Sequence, residues 1–416
     1  MKKRVLLVTN GFPFGESERS FLSEEVKLLA EKFDLLVLAP ENDDLLLYPT
    51  EGIMRIERYR FTSFRQTQDL RAIPRFFQMS VLREVWSKAK KRRFSTCLQD
   101  LKETLYFRYN VWEMEQKIEE LVQSERIDLV YTYWCSECTL AAIYLKKRYP
   151  NLKVITRFHG MDLYEERAEN GWQPFRKEIA RFADGLCFAC SYGRDYFLEH
   201  WGSEYATKAR IFYLGSTDRG TLKSRQDNAL RIISCSNLIP LKQVDIIIEG
   251  LSLLPETMQV EWTLFGDGTE RENLEMLAHE KLCNHPGITW NFRGFVPNTV
   301  LTEEYRSIAP HLFVTTSSTE GGAPVSIQEA FSMGIPAIGT LVGGIPDLII
   351  DGKTGYLLAQ DVKPSHVADA ILRFSALTDD EKQKMSNSAR HRWEALFNAR
   401  KNAEQFTEYL LELLSD

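Results

Sequence analysis

Short runs of apolar and β-branched residues recur along the chain with amphipathic stretches between them. In the first half the runs are "RVLLVTN", "LLVLAP", "IDLVYTYW", "KVITRFHG", "GLCFACS" and "ARIFYLG". Short apolar, β-branched runs of this kind read as strands, and the helical stretches between them imply parallel sheets with crossover helices. Each run ends in polar, glycine or aromatic residues, where open α/β sheets place their binding groups. A second series, "LRIISCSN", "VEWTLFGDG", "ITWNFRG", "HLFVTTSS" and "PAIGTLVGG", follows the polar stretch "STDRGTLKSRQDNA". The pattern predicts an α/β chain of two doubly wound, Rossmann-like domains in succession, with that stretch as the connection.

At 416 residues the chain is too long for one ordinary core, which agrees with two domains. The expected boundaries are 1–215 for the first domain, with a helical insert over about 61–125, and 216–395 for the second. From Thr378 onward the sequence is helical with no further strand, and residues 396–416 either cap the second domain or return to the first. The insert breaks the strand-helix rhythm with "RAIPRFFQMSVLREVWSKAKKRRF". Read plainly, it is a helical pair whose Lys and Arg form a solvated face. The sharper reading makes segment 71–93 a peripheral contact with anionic lipid headgroups, since bases interleaved with Phe, Trp and Leu suit that boundary.

Composition narrows the function classes. A formal net charge of -6, with 44% hydrophobic and 26% charged residues, argues against a dedicated nucleic-acid binder. After Met1-Lys2-Lys3-Arg4 the apolar run is only four residues long before Thr9, Asn10 and Gly11, so it reads as a buried first strand and not as a signal peptide. No window is apolar enough to span a bilayer. The seven cysteines are scattered and odd in number, which fits reduced thiols in the cytoplasm. The expected location is cytoplasmic, with segment 71–93 as the candidate contact to the inner face of the membrane. Two CxxC pairs, Cys135/Cys138 and Cys187/Cys190, are too far apart for a compact zinc ribbon, and the second lies in a strand-like run. They read as buried small hydrophobes, and no metal is expected.

Three glycine-rich stretches compete for the site. "DGKTG" ends like a phosphate-binding loop, but position 347, where that motif needs its first glycine, holds Asp347. "FGDGTER" has Gly266 and Gly268 but Arg271 in place of a third glycine, and reads as a tight strand-to-helix turn. "HLFVTTSSTEGGAPVSIQEAFSMG" is stronger: a strand ending at Thr316, a polar loop, then a helix opening near Pro324 and stopping at Gly334. Backbone amides of Gly321, Gly322, Ala323 and the first turn from Pro324 and Val325 would stand at the positive end of the helix dipole. That is an anion site suited to a diphosphate. Glu329 in the helix could accept from ribose hydroxyls, and Glu320 in the loop could reach a sugar. Taken alone, Glu329 is as well explained as an exposed helix acid.

These residues resemble the retaining family-4 glycosyltransferases of the GT-B fold, in which two Rossmann-like domains face a central cleft. The correspondence runs through Glu320-Gly321, Pro324, Glu329-Ala330 and Gly334-Ile335-Pro336. It continues through Gly343-Gly344-Ile345-Pro346-Asp347 and Asp351-Gly352-Lys353-Thr354-Gly355-Tyr356-Leu357. By that resemblance Lys242, in "SNLIPLKQVD", clamps the donor diphosphate. Asn237 stands where the family has an arginine, and an amide lacks the guanidinium's charged fork. Backbone around Gly266, Phe295 and Val296 would border the nucleotide. "TNGFPFGESERSFLSEEV", with Gly11, Gly15 and Glu18, resembles the loop-to-helix segment near the sugar phosphate and acceptor. "RFHGMDLYE" matches the family's "HG.D", which places His159 by the donor sugar with Asp162 three residues on.

One spacing departs from the family. Its two loop glutamates are separated by seven residues, Glu320 and Glu329 by eight, so the first glutamate's position falls on Gly321. Either the loop bulges and Glu320 still reaches the sugar, or that role has moved. The resemblance implies a retaining transfer from a nucleoside diphosphate sugar to a glycan or lipid-linked glycan, by front-face displacement and with no metal or further cofactor. The protein then acts by positioning and charge stabilisation. Two alternatives have the same architecture: a nucleotide-sugar epimerase, and a non-catalytic nucleotide-sugar binder.

Overall fold

The computed structural model describes residues 2–14, 18–42, 45–61, 81, 83, 84, 86, 97–168, 171–222 and 229–415. It divides into two compact units. The first is Met1–Phe212 with Ala403–Asp416, and the second is Tyr213–Asn402.

In the first unit the elements run β1 (Arg4–Val8), α1 (Arg19–Lys32), β2 (Asp34–Pro40), β3 (Ile53–Tyr59) and α2 (Cys97–Glu125). After them come β4 (Leu129–Thr132), α3 (Glu137–Arg148), β5 (Lys153–Phe158), α4 (Arg176–Phe182), β6 (Gly185–Phe188), α5 (Ser191–Trp201) and β7 (Ala209–Ile211). Among the described residues the strands form one parallel sheet in the order β3-β2-β1-β4-β5-β6-β7. The runs "VLLV", "LLVLAP" and "LVYT" lie in its middle and are almost wholly buried, because helices cover both faces of a parallel sheet.

The second unit repeats the plan. Its elements are β8 (Leu230–Cys235), α6 (Val244–Ser252), β9 (Val260–Phe265), α7 (Arg271–Leu282), β10 (Ile288–Gly294) and α8 (Asn298–Ile308). They continue with β11 (Leu312–Val314), α9 (Val325–Ser332), β12 (Ala337–Thr340), α10 (Ile345–Leu348), β13 (Gly355–Leu358), α11 (Pro364–Ser375) and α12 (Asp379–Leu396), and α13 (Ala399–Leu413) begins here but lies mostly in the first unit. The described strands pair in parallel in the order β10-β9-β8-β11-β12-β13. One core layer, around Ile232, Trp262 and Val367, covers one face, and another, around Phe313, Ile327 and Trp393, covers the other.

Two strands escape the sequence pattern, β3 and β13, and each stands at the end of its sheet. β3 reads "IMRIERY" with most positions exposed or half-buried. An edge strand lacks a neighbour on one side, and its charges serve there to block further pairing. The strand expected to reach Thr316 ends at Val314, and Thr316 and Ser318 beyond it bond the loop that follows β8.

The chain re-enters the first unit through α13. Phe406 is fully buried, with ring centroids 5.0 Å from Tyr131 and 5.1 Å from Phe212. The Arg157 guanidinium lies 4.5 Å from the same ring and pairs with Glu25 at 2.8 Å, and Tyr131 donates to Glu25 at 2.9 Å. This ties α1, β4, β5 and α13 into one interior. Phe406→Ala is therefore expected to cost about 3–4 kcal/mol of unfolding free energy in urea titration. A loss below about 1 kcal/mol would show that α13 is not part of that core.

Candidate active site

In the second unit the strand order reverses between β8 and β11. From β8 the chain goes outward through β9 and β10, and from β11 it goes the other way through β12 and β13. The loops leaving these two neighbours diverge, and an open α/β sheet binds its ligand in such a gap. Here the gap is bridged by hydrogen bonds onto backbone carbonyls. Ser318 N–H and Oγ–H donate to Leu241 O at 2.9 and 3.1 Å, and Thr316 Oγ1–H donates to Gln243 O at 2.7 Å. Thr340 Oγ1–H fixes Ser317 O at 2.5 Å. The turn Pro240–Lys242 is thereby held against the loop before α9.

Lys242 Nζ donates to Glu320 Oε1 at 2.5 Å, with both side chains mostly buried. Glu320 thus meets Lys242 despite the one-residue departure in loop spacing. The remainder of the loop is set by close approach to Gly343 and Gly344. A Cβ on Gly343 would fall 2.1 Å from Glu320 O, and one on Gly344 2.4 Å from Ala323 N, so no side chain fits at either position. Gly344 N–H donates to Gly322 O at 3.2 Å. Gly321, Gly322, Pro324 and Val325 are half-buried and Ala323 is buried. With Pro324 as N-cap and no acid in the first turn of α9, the leading amides have no intrahelical acceptor.

Glu329 is buried in α9. Its Oε1 accepts from Arg219 Nη2, and from Asn298 Nδ2 at 2.6 Å. Burial, and secondarily the Glu329 charge, push the neighbouring Cys235 thiol up to about 12. Arg219 belongs to the polar stretch read as connection, and nothing in its sequence context singles it out. Asn237 is exposed, and its carbonyl accepts from Ile239 N–H at 3.0 Å. At the neighbouring strand ends, Gly266 N–H donates to Gly294 O at 2.8 Å, and Phe295 and Val296 follow, the first 75% exposed.

The first unit has the same kind of switch point, between β1 and β4. A single buried carboxylate holds it: Glu18 accepts from Asn10 N–H at 3.0 Å, Phe12 N–H at 2.6 Å and Trp134 Nε1–H at 2.5 Å. Residues 10–14 after β1 are therefore held, with Gly11 O accepting from Phe14 N–H at 2.7 Å and a cis peptide between Phe12 and Pro13. Gly15 lies outside the described residues. Asp162 does for the next strand what Glu18 does here, accepting from His159 N–H at 2.7 Å and Cys135 N–H at 2.8 Å.

The His159 ring is 4.2 Å from the Trp134 ring and 4.8 Å from that of Tyr133. Both ring nitrogens are buried and hydrogen-bond no described residue, and the contact of Nδ1 with Asp162 Oδ2 is 3.9 Å long. A buried imidazole with free nitrogens has hydrogen-bonding capacity to give a ligand. Trp134 closes the run "YTYW" and was not among the sequence candidates; an aromatic at a strand's C-terminal end was its only signal.

The CxxC cysteines are buried thiols, and burial pushes Cys135 up to about 11 and Cys138 and Cys187 up to about 12. Among the described residues no cluster of His, Cys, Asp and Glu could hold a metal ion, and no helix is long and apolar enough to cross a membrane. Most of segment 71–93 lies outside the described residues. Of its described part, Glu84 accepts from Trp172 Nε1–H at 2.9 Å and Phe175 N–H at 3.1 Å.

Residues 217–392 match the family described as Glycosyl transferases group 1. WcaL of Escherichia coli, named for colanic acid biosynthesis glycosyltransferase, is 26% identical over 59% of this chain; the match spans 61% of that relative's own length. N-acetyl-alpha-D-glucosaminyl L-malate synthase of Bacillus anthracis is 23% identical over 74% of this chain and 82% of its own length. Among solved structures, Anabaena HepE in complex with UDP and glucose superposes with a TM-score of 0.66 at 16% identity, covering 98% of this chain and 99% of its own. The lipopolysaccharide outer core galactosyltransferase WaaB in its apo form gives 0.69 at 14% identity, covering 98% and 99%. The fold is GT-B.

Glu18→Ala would leave two backbone N–H groups and an indole without their acceptor. A loss of about 2–4 kcal/mol is expected in urea unfolding followed by tryptophan fluorescence. An unchanged midpoint would mean that the loop after β1 is held by something else.

Proposed function

We propose, for a chain whose second unit is a glycosyl transferases group 1 domain, that the protein transfers a sugar from a UDP- or GDP-linked donor to a hydroxyl of a glycan or lipid-linked glycan. The anomeric configuration is retained, no metal or further cofactor takes part, and the setting is surface polysaccharide assembly, as a family-4 retaining hexosyltransferase.

One observation carries this reading: the stitched loops after β8 and β11 set the Lys242 ammonium beside the glycine-lined entrance to α9. An ammonium and helix-start amides without an intrahelical acceptor together suit a pyrophosphate, both as it binds and as it leaves. In this scheme Lys242, Gly321, Gly322, Ala323, Pro324 and Val325 hold the diphosphate and Glu329 takes the ribose. Gly266, Phe295 and Val296 border the base. Asn237 lies near the phosphates without supplying the charge of the family arginine. Glu320 and His159 address the transferred sugar, and Gly11, Gly15, Glu18 and Asp162 shape the acceptor side. The departing diphosphate removes the acceptor proton, so the protein needs positioned charge more than a catalytic dyad.

Two names among the similar proteins support the choice of substrates. HepE was solved with UDP and glucose, and WcaL is named for colanic acid biosynthesis.

Purified protein incubated with UDP- and GDP-sugars and lipid-linked acceptors is expected to form a glycoside with the donor's anomeric configuration, read by proton NMR. Turnover should persist in a chelator. Absence of both turnover and nucleotide binding across the panel would refute the reading. With the productive pair identified, His159→Ala should lower kcat about a hundredfold with nucleotide affinity within about twofold. A kcat within about threefold of wild type would remove His159 from the site.

A further inference from the structure

A carboxylate buried as deeply as Glu329 requires compensation, and it comes from a residue outside every motif above. The side chains of Arg219 and Glu329 are 5% and 6% exposed. Arg219 Nη2 donates to Glu329 Oε1 and to Asn298 Oδ1, and Nη1 donates to Thr302 Oγ1. Asn298 Nδ2 completes the ring by donating to the same Oε1. A carboxylate oxygen offers two lone pairs, and both of those on Oε1 are thereby engaged. Oε2 receives no hydrogen bond from the described residues, and Arg219 Nε is buried without an acceptor among them.

The backbone that carries Arg219 is fixed as well. Arg306 donates to Arg219 O at 2.7 Å, and Asp218 forms a forked pair with Arg390 at 2.7 and 2.8 Å. Glu329 is therefore held from the segment that opens the second unit, as well as from its own helix.

We propose that Arg219 is a positioning residue for nucleotide recognition: with Asn298 it occupies Oε1 of Glu329 and so presents Oε2 alone to a ribose hydroxyl of the donor. This rests on the nucleotide-sugar reading above. The terminal torsion of a glutamate is soft, so without two donors on one oxygen the carboxylate would turn and offer no fixed acceptor. A lysine at this position supplies charge but not the planar fork that reaches Glu329, Asn298 and Thr302 together. A structural role alone would appear as lost stability. Positioning adds lost discrimination between ribose and deoxyribose.

The test is calorimetric titration of the full-length wild type, Arg219→Met and Arg219→Lys with UDP, GDP and their 2′-deoxy and 3′-deoxy counterparts. Wild type should favour the ribonucleotide over at least one deoxy form by about tenfold or more. In both variants that preference should shrink to about twofold, with affinity for the deoxy form within about threefold of wild type. Circular dichroism checks folding; should Arg219→Met fail to fold, Arg219→Lys, which keeps the charge, decides. A folded variant that retains the full preference overturns this inference and leaves the donor reading intact. A wild type that binds neither nucleotide overturns both.

Discussion

The candidate site depends on one constraint: two loops that the sheet sends in opposite directions must be held together at their roots. In the second unit this is done by Ser318 and Thr316 bonding the carbonyls of Leu241 and Gln243. These bonds fix Lys242 relative to the start of α9, and an ammonium placed by backbone needs little further ordering when an anion arrives. The side-chain pair of Lys242 with Glu320 sits on this frame. It compensates a partly buried cation.

The first unit meets the same constraint with different chemistry. Where the second unit uses backbone carbonyls, the first uses two carboxylates, Glu18 and Asp162, each accepting from backbone N–H groups that other elements leave unpaired. Charge-assisted bonds of this type are stronger than neutral ones. Both acids are consumed in shaping their loops. His159, stacked beside Trp134, is the group in that cluster whose ring nitrogens bond no described residue. A buried ring with both nitrogens unengaged keeps its hydrogen-bonding capacity, whereas the two acids beside it have spent theirs.

Much of this was legible in the sequence, for a physical reason. Central parallel strands are covered on both faces, so β1, β2, β4, β8 and β9 appear as apolar runs. β3 and β13 lie at sheet edges, and there the pattern dissolves into charge or merges with a turn. Lys242, Glu320, Glu329 and His159 stand out because glycines and prolines around them fix local backbone. Their partners do not. Arg219 lies 110 positions from Glu329, and Trp134 lies 116 from Glu18. No local pattern encodes such pairings, since they exist only once the sheet has brought strand ends together. The glutamate spacing shows the same limit: one extra residue leaves Glu320 ambiguous in the sequence, and only the folded loop, with Glu320 O close to Gly343, shows its carboxylate on Lys242.

The central claim is that Lys242 and the entrance to α9 together hold a pyrophosphate. The most direct measurement is the affinity gap between nucleoside diphosphate and monophosphate, UDP against UMP and GDP against GMP, for wild type and Lys242→Met at two ionic strengths. The account predicts that wild type favours the diphosphate by about tenfold or more, that salt narrows the gap, and that Lys242→Met nearly closes it. A gap of the same size in a folded Lys242→Met variant would contradict it.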